Sequence, residues 1–450
     1  MSTTVTPPAS TKRLGSSYHK LFISTTISNI GDGMSLIAYP WLASAITRNP
    51  ILIAGVALVQ RLPWLVFTLP AGVITDRVDR KRAMVIADFI RFVLTLIVAL
   101  AVFSRQSSLP GVDELSTVTG TATGLYIVLL LATLLLGTAE VLRDNCGQTF
   151  MPSIVKSDQL EKANGRMWSA EMIANTFIGP PLGSLLLLVA FSLPFFVDSV
   201  SFFAAAALVA AIPGTFRADR PDDHVQAPWR TELAEGFRWL WSNDLLRAMA
   251  IILGLMNMAS TLSGSVLVLF AQEILHIGPL VFTIMGFGFA AGGALGGIIA
   301  PRLSKRFGSG TCLAMTLASG AITSFFIGLS SWWPVVMVMF ALGTALGSTW
   351  NVITVSLRQT IIPSHLLGRV NSVYRFFAWG MMPIGTALGG VIVAVVEPHW
   401  GREVALRVPW FVAGGIGFAV LVYAVPRLTS AKIDAARAAG AVRPEPVTAR

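Results

Sequence analysis

The chain has 450 residues, of which 54% are hydrophobic and only 12% charged. An average soluble domain carries about 25% charged residues, so too little polar surface is left here to coat a soluble globule, and the apolar runs reach membrane-spanning length. The net charge of +10 does not indicate nucleic acid, because the basic residues flank apolar runs instead of gathering on one face; a lipid bilayer fits this pattern.

The first 20 residues are polar, with Pro7, Pro8, Ser16 and Ser17, and contain no cleavable apolar core, so the first span is expected to be retained. Spans are expected near 20–46, 51–74, 83–104, 124–144, 166–190, 192–213, 247–272, 278–300, 308–330, 332–357, 371–396 and 405–426. In lipid each backbone polar group needs a partner within its own segment, so these spans read as helices. With both termini in the cytoplasm, most Lys and Arg fall on the inner side and the outer loops keep only Arg48, Arg105, Arg402 and Arg407. Arg61, Arg91 and Arg375 remain inside spans.

In the first span Thr25, Ser28, Asn29, Asp32, Ser35 and Tyr39 fall on one stripe at helical spacing. Asp32 lies about 12 residues in, roughly 18 Å at the helical rise and so near mid-bilayer. A charge there is costly, and such residues mark ion or proton paths; Asp32 is the candidate for proton coupling. The alternative is a structural carboxylate fixed by Arg61 or by a backbone break at Gly31/Gly33.

Between the second and third spans stands Gly72-Val-Ile-Thr-Asp76-Arg77-Val-Asp79-Arg80-Lys81-Arg82, and a worn copy follows the eighth span as Gly297-Ile-Ile-Ala-Pro301-Arg302-Leu-Ser-Lys305-Arg306. Gly72 would allow close helix approach, and Asp76 would accept from backbone N–H groups or pair with Arg77. A positive-inside anchor alone explains Arg80, Lys81 and Arg82, but not Gly72 and Asp76 at this spacing. Glu140 or Asp144 at the end of the fourth span is a further expected partner of this loop. Gln148-Thr149-x-x-Pro152-Ser153 is echoed by Gln359-Thr360-x-x-Pro363-Ser364 after the tenth span. In the fifth span Gly179, Pro180, Pro181 and Gly183 should bend the helix, and packing on the Gly-rich eighth span could seal the halves; routine small-residue packing is the alternative. Glu171 and Asp198 read as proton relays or as helix-pairing groups.

The linker 214–246 opens polar. Its Trp229, Leu233, Phe237 and Trp241 then fall at helical spacing, which predicts an amphipathic helix in the inner headgroup layer. In the second half Asn257, Arg375, Phe376 and Trp379, with Asn29 and Arg61 of the first, are candidates for a substrate cavity. The tail 427–450 is Ala/Arg-rich and expected to be a mobile cytoplasmic segment. The expected fold class is an all-α membrane protein of 12 transmembrane helices, in two parallel-repeated six-helix bundles at 1–213 and 247–426.

These residues resemble the major facilitator superfamily, and the resemblance covers essentially the whole chain. The Gly72–Lys81 signature is similar to the family's cytoplasmic loop, which latches the halves and is remade as the cavity switches. Asn29-Ile-Gly-Asp32-Gly33, Asp88-x-x-Arg91 and the Pro152…Asn164 segment resemble the drug and siderophore exporters. Gly179-Pro180-x-x-Gly183 resembles the antiporter motif, although Asn175 and Ser184 stand where that motif has glycines. Arg143-x-x-Cys146-Gly147 resembles a fourth-span signature but lacks its Gln.

The resemblance implies proton-coupled export of a bulky amphipathic small molecule (drug, antibiotic or siderophore) from the inner membrane, by alternating access. Importer or uniporter activity on the same fold, or a transport-inactive sensor, remains open. The partners expected are a small-molecule substrate, protons and the bilayer, with the chain as a monomer. Neither cofactor nor metal is expected: Cys146 and Cys312 are the only cysteines, and no G-K-[ST], G-x-S-x-G or H-E-x-x-H is present. The five histidines (His19, His224, His276, His365, His399) lie in tails, loops or span ends, so no enzymatic constellation is expected.

Overall fold

The computed structural model describes residues 14–75, 77–217, 229–363 and 366–441. Asp76 and Ser364, and with them part of the loop signature and of its second-half echo, lie outside the described residues. Every regular element described is helical.

The first half holds α1 (Ser16–Ile46), α2 (Pro50–Val66), α3 (Thr68–Thr75), α4 (Arg80–Ser104), α5 (Thr123–Ile154), α6 (Leu160–Ile173), α7 (Gly179–Val189) and α8 (Leu193–Ala210). In the linker stands α9 (Trp229–Ser242). The second half holds α10 (Asp244–Gly264), α11 (Leu267–Glu273), α12 (Pro279–Phe307), α13 (Ser309–Leu329), α14 (Trp333–Ile361) and α15 (Leu367–Ala424), and α16 (Ser430–Ala441) follows them.

The starts of these helices follow local chemistry. The Asn49 side chain accepts from the N–H groups of Ile51 and Leu52, with Pro50 in the first turn. Asp79 caps α4 and Asn243 caps α10 in the same way. Sidedness is clear in α4. Ile86, Phe89, Ile90, Val93, Ile97, Leu100 and Phe103 are exposed, while Ala87, Asp88, Arg91, Thr95, Val98 and Val102 are buried. Apolar residues face outward and charges face inward, the arrangement of a helix solvated by lipid. Among the described residues, nine helical runs are long and apolar enough to cross a membrane.

In the first half α1 packs on α7 and α8, α2 on α5, and α4 on α5 and α8. In the second, α10 and α13 pack on α15, and α12 and α13 on α14. The halves meet where α2 packs on α15, α7 on α12, and α1 on α11 and α12.

Several expected boundaries are corrected. α1 runs unbroken through Gly31 and Gly33. The second span breaks at Phe67 and the seventh at Ser265–Val266. α5 continues to Ile154, well beyond the expected end at 144, so Glu140 and Asp144 lie inside a helix instead of at its end. The last two spans form one 58-residue run that turns at Gly401, whose φ of 80° is the left-handed conformation glycine adopts without Cβ strain. The tail expected to be mobile holds α16, in which Ile433 is fully buried and Arg437 donates to Ser309 Oγ at 3.1 Å. The linker helix α9 docks on α10 and α15, with Leu240 fully buried and Glu235 paired to Arg369 at 2.5 Å. Phe237 and Trp241 stay half-exposed and stack at 5.3 Å; the side chains of Trp229 and Leu233 lie outside the described residues.

Candidate functional site

The polar stripe of α1 organises the site, and its members have partners on several other helices. Thr25 accepts from Arg143 at 3.0 Å. Ser28 accepts from Arg91 at 3.1 Å, and Asp32 pairs with the same guanidinium. Asn29 accepts from the Asn175 amide at 2.9 Å. Ser35 donates to Asp198 at 2.9 Å. The Tyr39 hydroxyl is buried and has no hydrogen-bond partner among the described residues.

Behind the stripe, Asp88 is fully buried between two cations, 3.5 Å from Arg91 and 3.5 Å from Arg143. Arg143 also lies 3.7 Å from Asp144, and Arg91 stacks over the Phe202 ring at 3.9 Å. Two arginines are tolerable at this depth because carboxylates, hydroxyls and an aromatic face replace their hydration.

In front of the stripe is a cavity of about 440 Å³, walled only by first-half residues. Asp32, Glu140, Asp144, Glu171 and Asp198 line it together with Arg91 and Arg143, and Leu36, Trp64, Leu136 and Phe202 supply apolar surface. Of the residues proposed from the sequence for coupling, proton relay or the substrate cavity, Asn29, Asp32, Glu171 and Asp198 line this cavity. Arg61, Asn257, Arg375, Phe376 and Trp379 do not. Asn257 donates to the Ala378 carbonyl at 2.7 Å and ties α10 to α15, while Arg375 lies over the Trp379 ring at 5.7 Å. The partner of Asp32 is Arg91 and not Arg61.

Arg143 entered the sequence reading only through its resemblance to a fourth-span signature and was given no role; the extra length of α5 places it in the core. Glu140 and Asp144 line the cavity, and among the described residues no hydrogen bond or ion pair joins either to the loop before α4.

The loop signature binds its own half. Arg80 donates to the Thr149 carbonyl at 3.1 Å and Lys81 to the Ile212 carbonyl at 2.5 Å. The Asp79 carboxylate accepts from the Phe216 N–H at 2.7 Å and from the Arg82 N–H at 2.9 Å. Burial pushes the Asp79 carboxyl up, but these two N–H groups and the nearby Arg82 and Lys81 outweigh it and hold the group below its ordinary value. A Cβ on Gly72 would meet nothing within 4 Å among the described residues, so no close approach is seen there among them.

The fifth span carries a π-helical turn, Ala174–Ile178, between α6 and α7. Pro180 and Pro181 have no N–H to donate backward, and the Gly179 N–H bonds five residues back to Ala174. The wide turn lies against Gly33. A Cβ on Gly179 would come within 2.6 Å of Gly33 Cα, and one on Gly183 within 2.8 Å of the Met34 carbonyl. The fifth span does pack on the Gly-rich eighth, but not through the glycines: Gly179 and Gly183 pack on α1, and Gly288, Gly292 and Gly296 pack on the α14 backbone. α7 and α12 touch through Ser184, whose hydroxyl lies 2.6 Å from Thr283 Oγ1, and the π-helical turn adds Phe177, stacked on Phe287 at 5.6 Å.

At the end of the molecule where α1 turns into α2, a second ionic group ties the halves. Arg48 pairs with Glu273, and Arg402 donates to Glu273 and to Glu397, each at 2.9 Å. Arg402 also reaches the Arg48 carbonyl at 3.0 Å. Gln272 accepts from Arg48 at 2.5 Å and donates to Ser44 at 2.9 Å.

A multi-pass helical membrane protein with paired charges at the core and a polar cavity has the build of a small-molecule transporter. The family described as transmembrane secretion effector matches residues 13–436, and the chain belongs to this family of major facilitator superfamily transporters. It is 25% identical over 410 residues to the multidrug efflux pump Tap of Mycobacterium tuberculosis (strain ATCC 25618 / H37Rv), covering 86% of this chain and 90% of that protein. It is 23% identical over 387 residues to the enterobactin exporter EntS of Escherichia coli O1:K1 / APEC, covering 85% and 86%. Its fold is similar to that of the nucleoside transporter NupG (TM-score 0.68, 11% identity, 92% of this chain and 100% of that one). It is also similar to a bacterial homologue of the iron transporter ferroportin in an inward-facing state (TM-score 0.66, 14% identity, 91% and 100%).

Proposed function

We propose that the chain is a proton-coupled exporter of a bulky amphipathic small molecule, working by alternating access in the inner membrane with both termini in the cytoplasm. The observation that carries this reading is the cavity of Asp32, Glu140, Asp144, Glu171 and Asp198, set against Arg91 and Arg143 inside the first half. Carboxylates at this depth exchange protons with a wet chamber, and a proton or a ligand can satisfy them in turn. The related efflux pump and enterobactin exporter support export as the direction.

Two parallel repeats of six spans account for the packing, since α2 on α5 and α4 on α5 recur as α12 on α14 and α13 on α14. The segment after α8 docks at the start of α4 through Phe216, and the tail docks at the start of α13 through Ser430, which accepts from the Gly310 N–H at 3.0 Å. With the basic residues inside, the Arg48–Glu273–Arg402 group stands at the outer face, so the halves are closed outside and the cavity is reached from the cytoplasm.

The test is efflux from proteoliposomes under an imposed pH gradient. Efflux should follow the gradient, vanish when an ionophore collapses it, and fall in Asp32→Asn. Efflux indifferent to the gradient would reject proton coupling, and accumulation of the same compound would reject the direction.

A further inference from the structure

The charge balance of the cavity identifies what it is built to hold. Its two guanidinium groups are already engaged: Arg91 by Asp32, Asp88 and Ser28, and Arg143 by Asp88, Asp144 and Thr25. An anion entering this space finds no free cation in the wall. Glu140, Glu171 and Asp198 also line it, and among the described residues none of them has an ion-pair partner. Asp198 is met by the hydroxyls of Ser35 and Ser201, at 2.9 Å and 3.3 Å; no hydrogen bond within the described residues engages Glu140.

A second, independent feature is the Tyr39 hydroxyl. The residue is 5% exposed, its oxygen has no partner among the described residues, and it lies in the same wall. Buried polar groups are satisfied as a rule, so an unsatisfied hydroxyl beside unpaired carboxylates marks a place that a ligand completes. Trp64, Leu36 and Leu136 face the same space and offer apolar and aromatic surface to the body of a ligand. Among the described residues no group of three acidic, His or Cys side chains is placed to hold a metal ion, so the wall offers no ready-made metal site of that kind.

We propose that the cavity recognises an organic cation with an apolar body, its charged group against Glu140 and its polar edge against the Tyr39 hydroxyl. This deepens the exporter reading and rests on it for direction. A cation neutralises Glu140 as a proton would, which makes the two competitors for one carboxylate.

The experiment compares two probes of one shape and opposite charge, tetraphenylphosphonium and tetraphenylborate, by equilibrium binding to the purified full-length protein in detergent, with protein-free micelles as background. The cation should bind saturably and at least about tenfold more tightly than the anion, and Glu140→Gln should weaken it by about tenfold or more. Equal or tighter binding of the borate, no saturable binding of the phosphonium, or binding unchanged in a well-folded Glu140→Gln protein would each overturn the proposal. The comparison of the two probes needs no variant, so a Glu140→Gln protein that fails to fold leaves it decisive. Saturable phosphonium binding without transport of any compound would sustain the cation site while removing the exporter reading. Transport of an anion without phosphonium binding would do the reverse.

Discussion

Asp88 and Asp32 sit on the same arginine and face opposite consequences when neutralised. The Asp88 side chain is fully buried between Arg91 and Arg143, whereas that of Asp32 is 28% exposed to the cavity. Breaking a buried pair leaves uncompensated charge and costs about 3 kcal/mol or more. Asp88→Asn should therefore lower the thermal unfolding midpoint in detergent markedly, and Asp32→Asn should lower it little while reducing coupled transport. Asp79 gives a pH signature outside the bilayer. Its carboxyl is held below its ordinary 3.8, so the stabilisation it provides is present above that value and is lost as pH falls through the lower folded value. Removing the cap with Asp79→Ala should cost about 1 kcal/mol at neutral pH, and the difference from the parent should begin to shrink on acidification below about pH 4. Asp32 was legible in the sequence because a lone acid in an apolar run has few explanations. Arg143 was not, because its role depends on partners remote in sequence.

At the scale of helices, spacing of glycines foretold close packing but not with which neighbour. The fifth span matched an antiporter-like pattern, and its glycines meet α1 instead of the second half. Gly183→Leu would drive a side chain into the Met34 backbone, which cannot give as a flexible side chain would. The helices must part, with a loss of about 1–3 kcal/mol and a lowered unfolding midpoint. A Cβ on Gly297, in α12, would meet nothing within 4 Å. Gly297→Ala should be neutral or stabilising by up to about 1 kcal/mol. A melting comparison of the two variants separates glycines that pack from those that only occupy the pattern. The kink at Phe67 escaped the hydropathy reading because apolar residues run across it, whereas the one at Ser265–Val266 follows Ser263-Gly264-Ser265, a breaker signal that hydropathy averaged over a whole span hides.

At the scale of the molecule, the Arg48–Glu273–Arg402 group joins the first turn between helices to the far ends of the second half. On the exporter reading it holds the outer face shut, and such switching elements rest on discrete sets of ion pairs. Glu273→Ala removes the carboxylate that both arginines share. It should open the outer face, read as faster reaction of an impermeant maleimide with Ala271→Cys, a position fully buried in this state. Labelling as slow as in the parent background would show that other contacts hold the closure. Cys146 and Cys312 are both buried and contribute little background. What the sequence alone determined is the bilayer as solvent, helices as the only spanning element, the family, and the concentration of acids in the first half, because hydropathy, composition and motif spacing are properties of a linear chain. Only the tertiary structure decided that Asp32 pairs with Arg91, that Arg143 belongs to the core, and that Glu140 stands without an ion-pair partner among the described residues. Those outcomes depend on the rotation and length of helices packed side by side, to which a hydropathy pattern is blind.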